Sequence, residues 1–374
     1  MSPILRASVL LATLVGVAAC DEPQGALPSR PHEAGTRAAG TPADKAAPTA
    51  AAAPTIDRAA LGAYKPLPAV YESPTNALTD DKIALGRMLY FDTRLSKNQD
   101  LSCNSCHGLD SFGVDGARFS KGHKGQLGGR NSPSVYNAAG HVAQFWDGRA
   151  PDVEEQAKGP VTNPVEMAMP DAASVERVLR SIPGYVELFK KVWPGDAEPV
   201  TFQHMAEAIG AFERKLTTPS RWDKYLAGDD QALTPDELRG LAKFSEVGCT
   251  ACHGGAGLGG HMFQKVGAAK PYPNDKDLGR YDVTKADADR LVFRVASLRN
   301  VDKTAPYFHD GAVADLPAAV KLMADIQLGR TLSDGDAQAI VAFLGALTGE
   351  VPRDYVKKPE LPPSGKDTPA PDPG

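Results

Sequence analysis

Two short strings in this chain carry the residue types that can do covalent and metal chemistry. "CNSCH" spans Cys103 to His107 and "CTACH" spans Cys249 to His253, and together they hold four of the five cysteines. In each string two cysteines three residues apart lie on one face of a helical turn, with a histidine directly after them. That spacing is the attachment signature of a c-type haem, with two thioethers to the vinyl groups and the histidine as axial iron ligand. A zinc ribbon brings its two Cys-x-x-Cys pairs to about 15–20 residues from each other, far closer than these. A thioredoxin-like dithiol belongs in a βαβ context, and a structural disulfide does not call for a histidine after each pair. The sequence therefore predicts two haems c, attached at Cys103, Cys106, Cys249 and Cys252, with His107 and His253 as proximal ligands.

The opposite face of each iron is less determined. Six of the eight histidines and all seven methionines remain after the proximal positions are assigned. His123 lies in the glycine-rich "FSKGHKGQLGGRNSP", with no apolar face to pack, so it is either solvated or a ligand. Met323 lies in "LPAAVKLMADIQLG" on a helical stripe with Leu316, Val320 and Ile326, where it reads as core as readily as ligand. His261, Met262 and His309 are rivals, and spacing alone does not choose among the five.

The elements that must position these groups are helices. "TFQHMAEAIGAFERKL" places Phe202, Met205, Ile209, Phe212 and Leu216 on one stripe. "TPDELRGLAKFSEVG" opens with a capping box, Thr234 and Glu237, and has Pro235 at its first helical position. "SDGDAQAIVAFLGALTG" starts at Ser333 and is expected to close near Gly349. Strand-like alternation is scarce, and long Gly- and Pro-rich connections fill 108–165 and 254–310, lengths that usually carry function. "ALTDDKIALGRMLYF" (77–91) and "ALTPDELRGLAKF" (232–244) form a weak internal repeat, each running towards its own Cys-x-x-Cys-His. The expected fold is thus mainly α, with two cytochrome c-like haem domains with long loops, 63–216 and 217–356. They are flanked by a disordered N-terminal tether and a disordered Pro-rich tail, 357–374.

At 42% hydrophobic and 23% charged residues the chain has the composition of a globular protein. A formal net charge of -5 without a basic stripe argues against a nucleic-acid partner. Residues 1–19 read as a signal peptide: Arg6, then the apolar "ASVLLATLVGV", too short to span a bilayer. The run ends in "VAAC", which resembles a bacterial lipobox, so Cys20 is expected to be acylated and to begin a flexible linker, 20–62. The mature protein is then periplasmic and tied to a bacterial membrane only through its lipid.

Taken together, the strings "CNSCH", "GHKGQLGGRNSPSVYN", "FWDGRA", "QAKGPVTNPVEM", "CTACHGG", "TAPYFHDGAV" and "LMADIQLGRTLSDGDAQAIVAFLGALTG" resemble, in order, the bacterial dihaem cytochrome c peroxidases. The resemblance runs from about Leu78 to Gly349. It implies that His123 is the removable distal ligand of the N-terminal, peroxidatic haem and Met323 the distal ligand of the C-terminal, electron-transfer haem. It implies that Trp146 lies between the haems, that Gln156 and Glu166 line the peroxide pocket, and that Glu166 is the acid–base. It also implies a calcium ion held by Asn131 with the carbonyls of Thr304 and Pro306. The implied substrate is hydrogen peroxide, and the implied donor a small c-type cytochrome or a blue-copper protein. Members of the family are commonly homodimers. Two other activities compete: a related dihaem enzyme that oxidises tryptophans of a partner protein, and a pure electron-carrying dihaem cytochrome. In the former a tyrosine replaces the distal methionine, and the latter has no use for Glu166 and Gln156.

Overall fold

A computed structural model describes residues 54–373 of the 374-residue chain. The signal peptide, Cys20 and most of the linker expected from the sequence lie outside the described residues. Within them run α1 (Asp80–Phe91), α2 (Cys103–Cys106), α3 (Val153–Thr162), α4 (Ala172–Arg180), α5 (Pro183–Val192), α6 (Phe202–Glu213), α7 (Arg221–Leu226) and α8 (Pro235–Val247). After them come α9 (Tyr281–Thr284), α10 (Leu316–Leu328), α11 (Asp334–Gly345) and α12 (Arg353–Val356). One small antiparallel ribbon, β1 (Phe263–Lys265) against β2 (Val292–Arg294), pairs Gln264 with Phe293. No helix among the described residues is long and apolar enough to cross a membrane.

The helix starts follow their caps. Thr79 Oγ1 accepts from the Lys82 N–H at 3.2 Å to open α1. Thr234 and Glu237 bond reciprocally at the head of α8, with Pro235 at the first position as its missing N–H allows. Helix α11 stops at Gly345 instead of running to Gly349. Asn300 takes over there: its N–H donates to the Leu347 carbonyl at 3.2 Å and its Oδ1 accepts the Gly349 N–H at 2.9 Å. Those backbone groups are diverted from a further helical turn.

Two packing units repeat the same plan. Helix α1 packs on α6, which also takes α3, and α8 packs on α11, which also takes α10. Each pair closes at a glycine. A Cβ on Gly86 would stand 1.8 Å from the Ala208 carbonyl oxygen, and one on Gly240 would stand 2.0 Å from that of Ala339. Around the first crossing gather Leu85, Leu89, Tyr90, Ile209 and Phe212; around the second, Trp222, Leu241, Phe244, Ile340 and Phe343.

The segments before α1 and after α11 cross over between these cores. Leu61 and Tyr64, near the expected end of the linker, are buried in the second core, and Tyr64 meets Trp222 edge-on at 5.2 Å. A 3₁₀ turn covers Arg58–Ala63, so the linker gives way to fixed structure before residue 62. In return Val356 is buried in the first core, and Tyr355 stacks on Phe212 at 5.1 Å. The Pro-rich tail has neither helix nor strand, as its composition requires, but it is not loose. The Gln99 amide donates to the Pro369 carbonyl at 2.8 Å, the Ser181 hydroxyl to Thr368 Oγ1 at 2.9 Å, and the Asp372 N–H to the Lys97 carbonyl at 3.0 Å. Composition reports what a segment can bury by itself, not what a surface of the same chain offers it.

Candidate active site

In the first half, α2 is a single turn. Its cap, Ser102, donates its N–H to Ser105 Oγ at 3.0 Å, and Cys103 and Cys106 are not bridged by a disulfide. His107 follows directly. Its Nδ1 lies 3.0 Å from the Pro133 carbonyl and 3.4 Å from that of Gly113, and the Tyr90 hydroxyl donates to the His107 carbonyl at 2.8 Å. A proton held on Nδ1 by a carbonyl leaves Nε2 as the ligating atom. Burial pushes the imidazole pKa below its usual value, so the ring is neutral, the form that binds metal.

Above these three residues opens a cavity of about 530 Å³ whose wall includes Trp146, Gln156 and Glu166. Gln156 projects from α3, which Asp152 caps by accepting the Glu155 N–H at 2.8 Å. Glu166 lies on the turn after that helix, and its Oε1 accepts the Asn163 amide at 2.9 Å. Burial raises the Glu166 pKa above the usual carboxylate range, opposed by the charge of Arg149 and by the Asn163 bond. Trp146 is fixed by donating Nε1–H to the Asn131 carbonyl at 2.8 Å.

His123 occupies a 3₁₀ turn, His123–Gly125, and is buried, with its N–H donating to the Glu166 carbonyl at 2.7 Å. Gly122, Gly128 and Glu166 contribute to the cavity wall, whereas His123 does not. The structure thus brings His123 beside the catalytic candidate without placing it over His107. Gly122 makes that seat available, because a Cβ there would stand 1.9 Å from the Val165 carbonyl oxygen.

In the second half, Gly248 caps α8 with a φ of 105° that favours glycine, and a 3₁₀ turn presents Cys249 and Cys252, again without a disulfide. His253 Nδ1 lies 3.0 Å from the Leu258 carbonyl, and burial lowers this imidazole's pKa too. The adjoining cavity, about 210 Å³, is walled by Met323, Val320 and Leu316 of α10 and also by Trp146 and His309. Of the rival ligands, His261 and Met262 do not face it.

A third, smaller cavity of about 90 Å³ collects Asn131, Thr304 and Pro306, the three residues the resemblance implied for calcium, together with Trp146. Asn131 donates its amide to the Ala117 carbonyl at 3.0 Å, which leaves Oδ1 and two backbone carbonyls as donors. An oxygen-only set suits a hard cation such as calcium.

Both Cys-x-x-Cys-His sites fit a covalent haem. Each pairs two cysteines not bridged to one another with a buried histidine whose Nδ1 lies against a backbone carbonyl, beside a cavity. The family model for di-haem cytochrome c peroxidase matches residues 80–231. The chain is 49% identical over 307 residues to cytochrome c551 peroxidase of Nitrosomonas europaea, covering 82% of this chain and 89% of that one. It belongs to the di-haem cytochrome c peroxidase family. Cytochrome c551 peroxidase of Pseudomonas aeruginosa is 47% identical over 315 residues, covering 82% of this chain and 90% of that one. A solved MauG-like protein associated with microbial copper homeostasis superposes with a TM-score of 0.69 at 29% identity, over 78% of this chain and 97% of that one. Membership makes the chain an oxidoreductase acting on peroxide, and it implies two haems c.

Sequence reading missed three polar groups at the first cavity. Asn163 and Arg149 tune Glu166, and only the i, i+3 spacing of Asn163 hinted at it. Glu213 lines the cavity from α6, buried, with its pKa raised to about 8. It sits four residues after Ile209, on the edge of the stripe that sequence periodicity marks as core, and a carboxylate there was the available signal.

Proposed function

We infer that the chain reduces hydrogen peroxide to water at the Cys103–Cys106–His107 site with electrons that enter through the Cys249–Cys252–His253 site. The observation that carries this division is that Glu166 and Gln156 share a cavity with the first set, while Met323 shares one with the second. A thioether ligand raises a haem's potential relative to a second imidazole, which makes the Met323 side the electron acceptor. The haems, when bound, supply the redox chemistry. Glu166 takes a proton from one peroxide oxygen and returns it to the other, and its raised pKa brings it nearer to working pH. Gln156 orients the peroxide through its amide. Trp146 borders both cavities and lies on the route between them. His123 closes the first site reversibly, its glycine-rich loop supplying the freedom to move.

The donor in this reading is a small c-type cytochrome or cupredoxin. Calcium sits at Asn131, Thr304 and Pro306, two haem domains divide near residue 217, and two copies of the chain pair. Export through the signal peptide and acylation of Cys20 place the enzyme in the periplasm on a lipid anchor. Met323 supports the peroxidase over the tryptophan-oxidising relative, and Glu166 with Gln156 supports it over a pure electron carrier.

The test is Met323→His in the dihaem protein. The C-terminal haem's potential falls and turnover with a reduced cytochrome c drops, while peroxide still reaches the other site. An unchanged potential assigns the ligand elsewhere, with His309 first in line because it faces the same cavity.

A further inference from the structure

Arg294 closes β2, and its backbone N–H donates to the Trp146 carbonyl at 2.8 Å. The residue is 3% exposed and borders all three cavities, yet Nε and Nη1 have no hydrogen-bond partner. His141 is in the same condition: both ring nitrogens are buried and unpartnered, and the ring borders the first and third cavities. A buried guanidinium without a counter-charge is expensive, and native proteins seldom leave such donors unmade. Among the described residues no carboxylate reaches Arg294 Nε or Nη1, and none offsets its burial. Burial alone pushes Arg294 down to about 10 and, together with the charge of Arg294, pushes His141 well below its usual value. A cation held at Asn131 would add charge of the same sign nearby. The two groups therefore wait for an anion, and a planar guanidinium with an adjacent imidazole matches a carboxylate.

The carboxylates that a haem brings are its two propionates, on the edge away from the thioethers. We propose that Arg294 and His141 form the cradle for a propionate of the haem attached at Cys103 and Cys106. Arg294 is then a positioning residue: one side chain neutralises the propionate while the same residue's backbone fixes Trp146, so the haem edge and the tryptophan share an anchor. The inference rests on the dihaem reading, and not on the roles given to Glu166 or Met323.

The test uses holoprotein shown by pyridine haemochrome to carry two haems, a count that checks the dihaem reading separately. Arg294→Met removes a positive charge beside the haem, and the more negative reduced state loses its support. Spectroelectrochemical titration should show the N-terminal haem's reduction constant falling by on the order of tenfold, with the C-terminal haem unmoved. Arg294→Lys should restore most of the shift, which a merely structural loss would not allow. His141→Phe should move the same haem in the same direction, and its resonance Raman spectrum should show an altered propionate bending band. That variant keeps the question decidable if Arg294→Met does not load with haem. The proposal is overturned if neither potential moves, or if only the C-terminal haem responds.

Discussion

Asn163 donates its side-chain amide to Glu166 Oε1 at 2.9 Å, while its own Oδ1 accepts the Val165 N–H at 3.0 Å and its carbonyl accepts the Glu166 N–H at 3.0 Å. One residue thus builds the turn that carries Glu166, the proposed acid–base, and aims its carboxylate. Glu166→Gln should lower kcat/KM for peroxide by about 10²–10⁴-fold, the usual contribution of general acid–base catalysis. Asn163→Ala should cost less, about tenfold, because the carboxylate survives but loses its guide. Steady-state turnover with a reduced cytochrome measures both. A Glu166→Gln enzyme of undiminished activity would remove Glu166 from the mechanism.

The charge of Arg149 opposes the burial that raises the Glu166 pKa. Arg149→Gln should therefore raise that pKa further. The base form is then lost at a higher pH as the solution is acidified, so the acid limb of the kcat/KM profile moves up in pH. A limb that stays in place in the variant would mean another group titrates there.

How far the site could be read in the sequence depended on whether its residues announce themselves locally. Cys103, Cys106 and His107 are contiguous, and so are Cys249, Cys252 and His253, so their chemistry is written in a few letters. Thr234, Pro235 and Glu237 mark a helix start for the same reason, since capping acts within one turn. Arg294 and His141 gave no such signal, because their meaning lies in the partners they lack, and those depend on folding that brings residues 141, 146 and 294 together. The exchange of the segments flanking α1 and α11 was hidden as well. Leu61 and Val356 are ordinary apolar residues flanked by Pro- and Ala-rich sequence, and nothing local says which core will bury them. His123 was legible as an unusual histidine, but the seat it takes beside Glu166 depends on how closely Gly122 can approach Val165.

Glu154 and Arg214 form a two-bond ion pair, Nε to Oε1 at 2.7 Å and Nη2 to Oε2 at 2.8 Å, with both side chains nearly buried. Asn76 adds a third bond to Oε1 at 2.8 Å and is itself held by Lys82 at 2.8 Å. Removing one partner of such a pair strands the other, so Glu154→Ala should destabilise by about 3–5 kcal/mol. Urea unfolding of the holoprotein checks it, and a loss under about 1 kcal/mol would mean that water or a rearranged neighbour satisfies Arg214.

The loop around His123 offers paired variants with opposite outcomes. If His123 is the closing ligand, as proposed, His123→Gly should leave the N-terminal haem high-spin in the fully oxidised protein and reactive towards peroxide without prior reduction. Gly122→Ala places a Cβ where the Val165 carbonyl already stands, which denies His123 its seat beside Glu166. The oxidised haem should then stay low-spin even after the other haem is reduced. Electronic absorption and electron paramagnetic resonance separate the two, and a low-spin His123→Gly haem would end the gating assignment.

Glu213 makes the stability of the whole protein sensitive to pH in a direction opposite to that of an ion-paired carboxylate. Its pKa is raised from 4.5 to about 8, first by burial and then by the charge of Glu154, against the opposing charge of Arg214. Between those two values the folded protein holds a proton that the unfolded chain has released. Unfolding free energy must therefore fall as pH rises from the lower value through the higher one, and level off above it. The full contribution is present only below the unfolded pKa. Tyr90, Tyr355 and Cys103 also face this carboxyl, but the tyrosines stay protonated throughout this window, and Cys103 no longer titrates once it is bonded as a thioether. Glu213→Gln keeps the shape of the protonated acid and removes its titration. Urea unfolding of the holoprotein from pH 5 to about 8.5 should thus give a wild-type curve that falls relative to the variant, with the two converging at the acid end. Parallel curves would show that Glu213 is already ionised in the folded protein and that the cavity it borders is wetter than its burial implies.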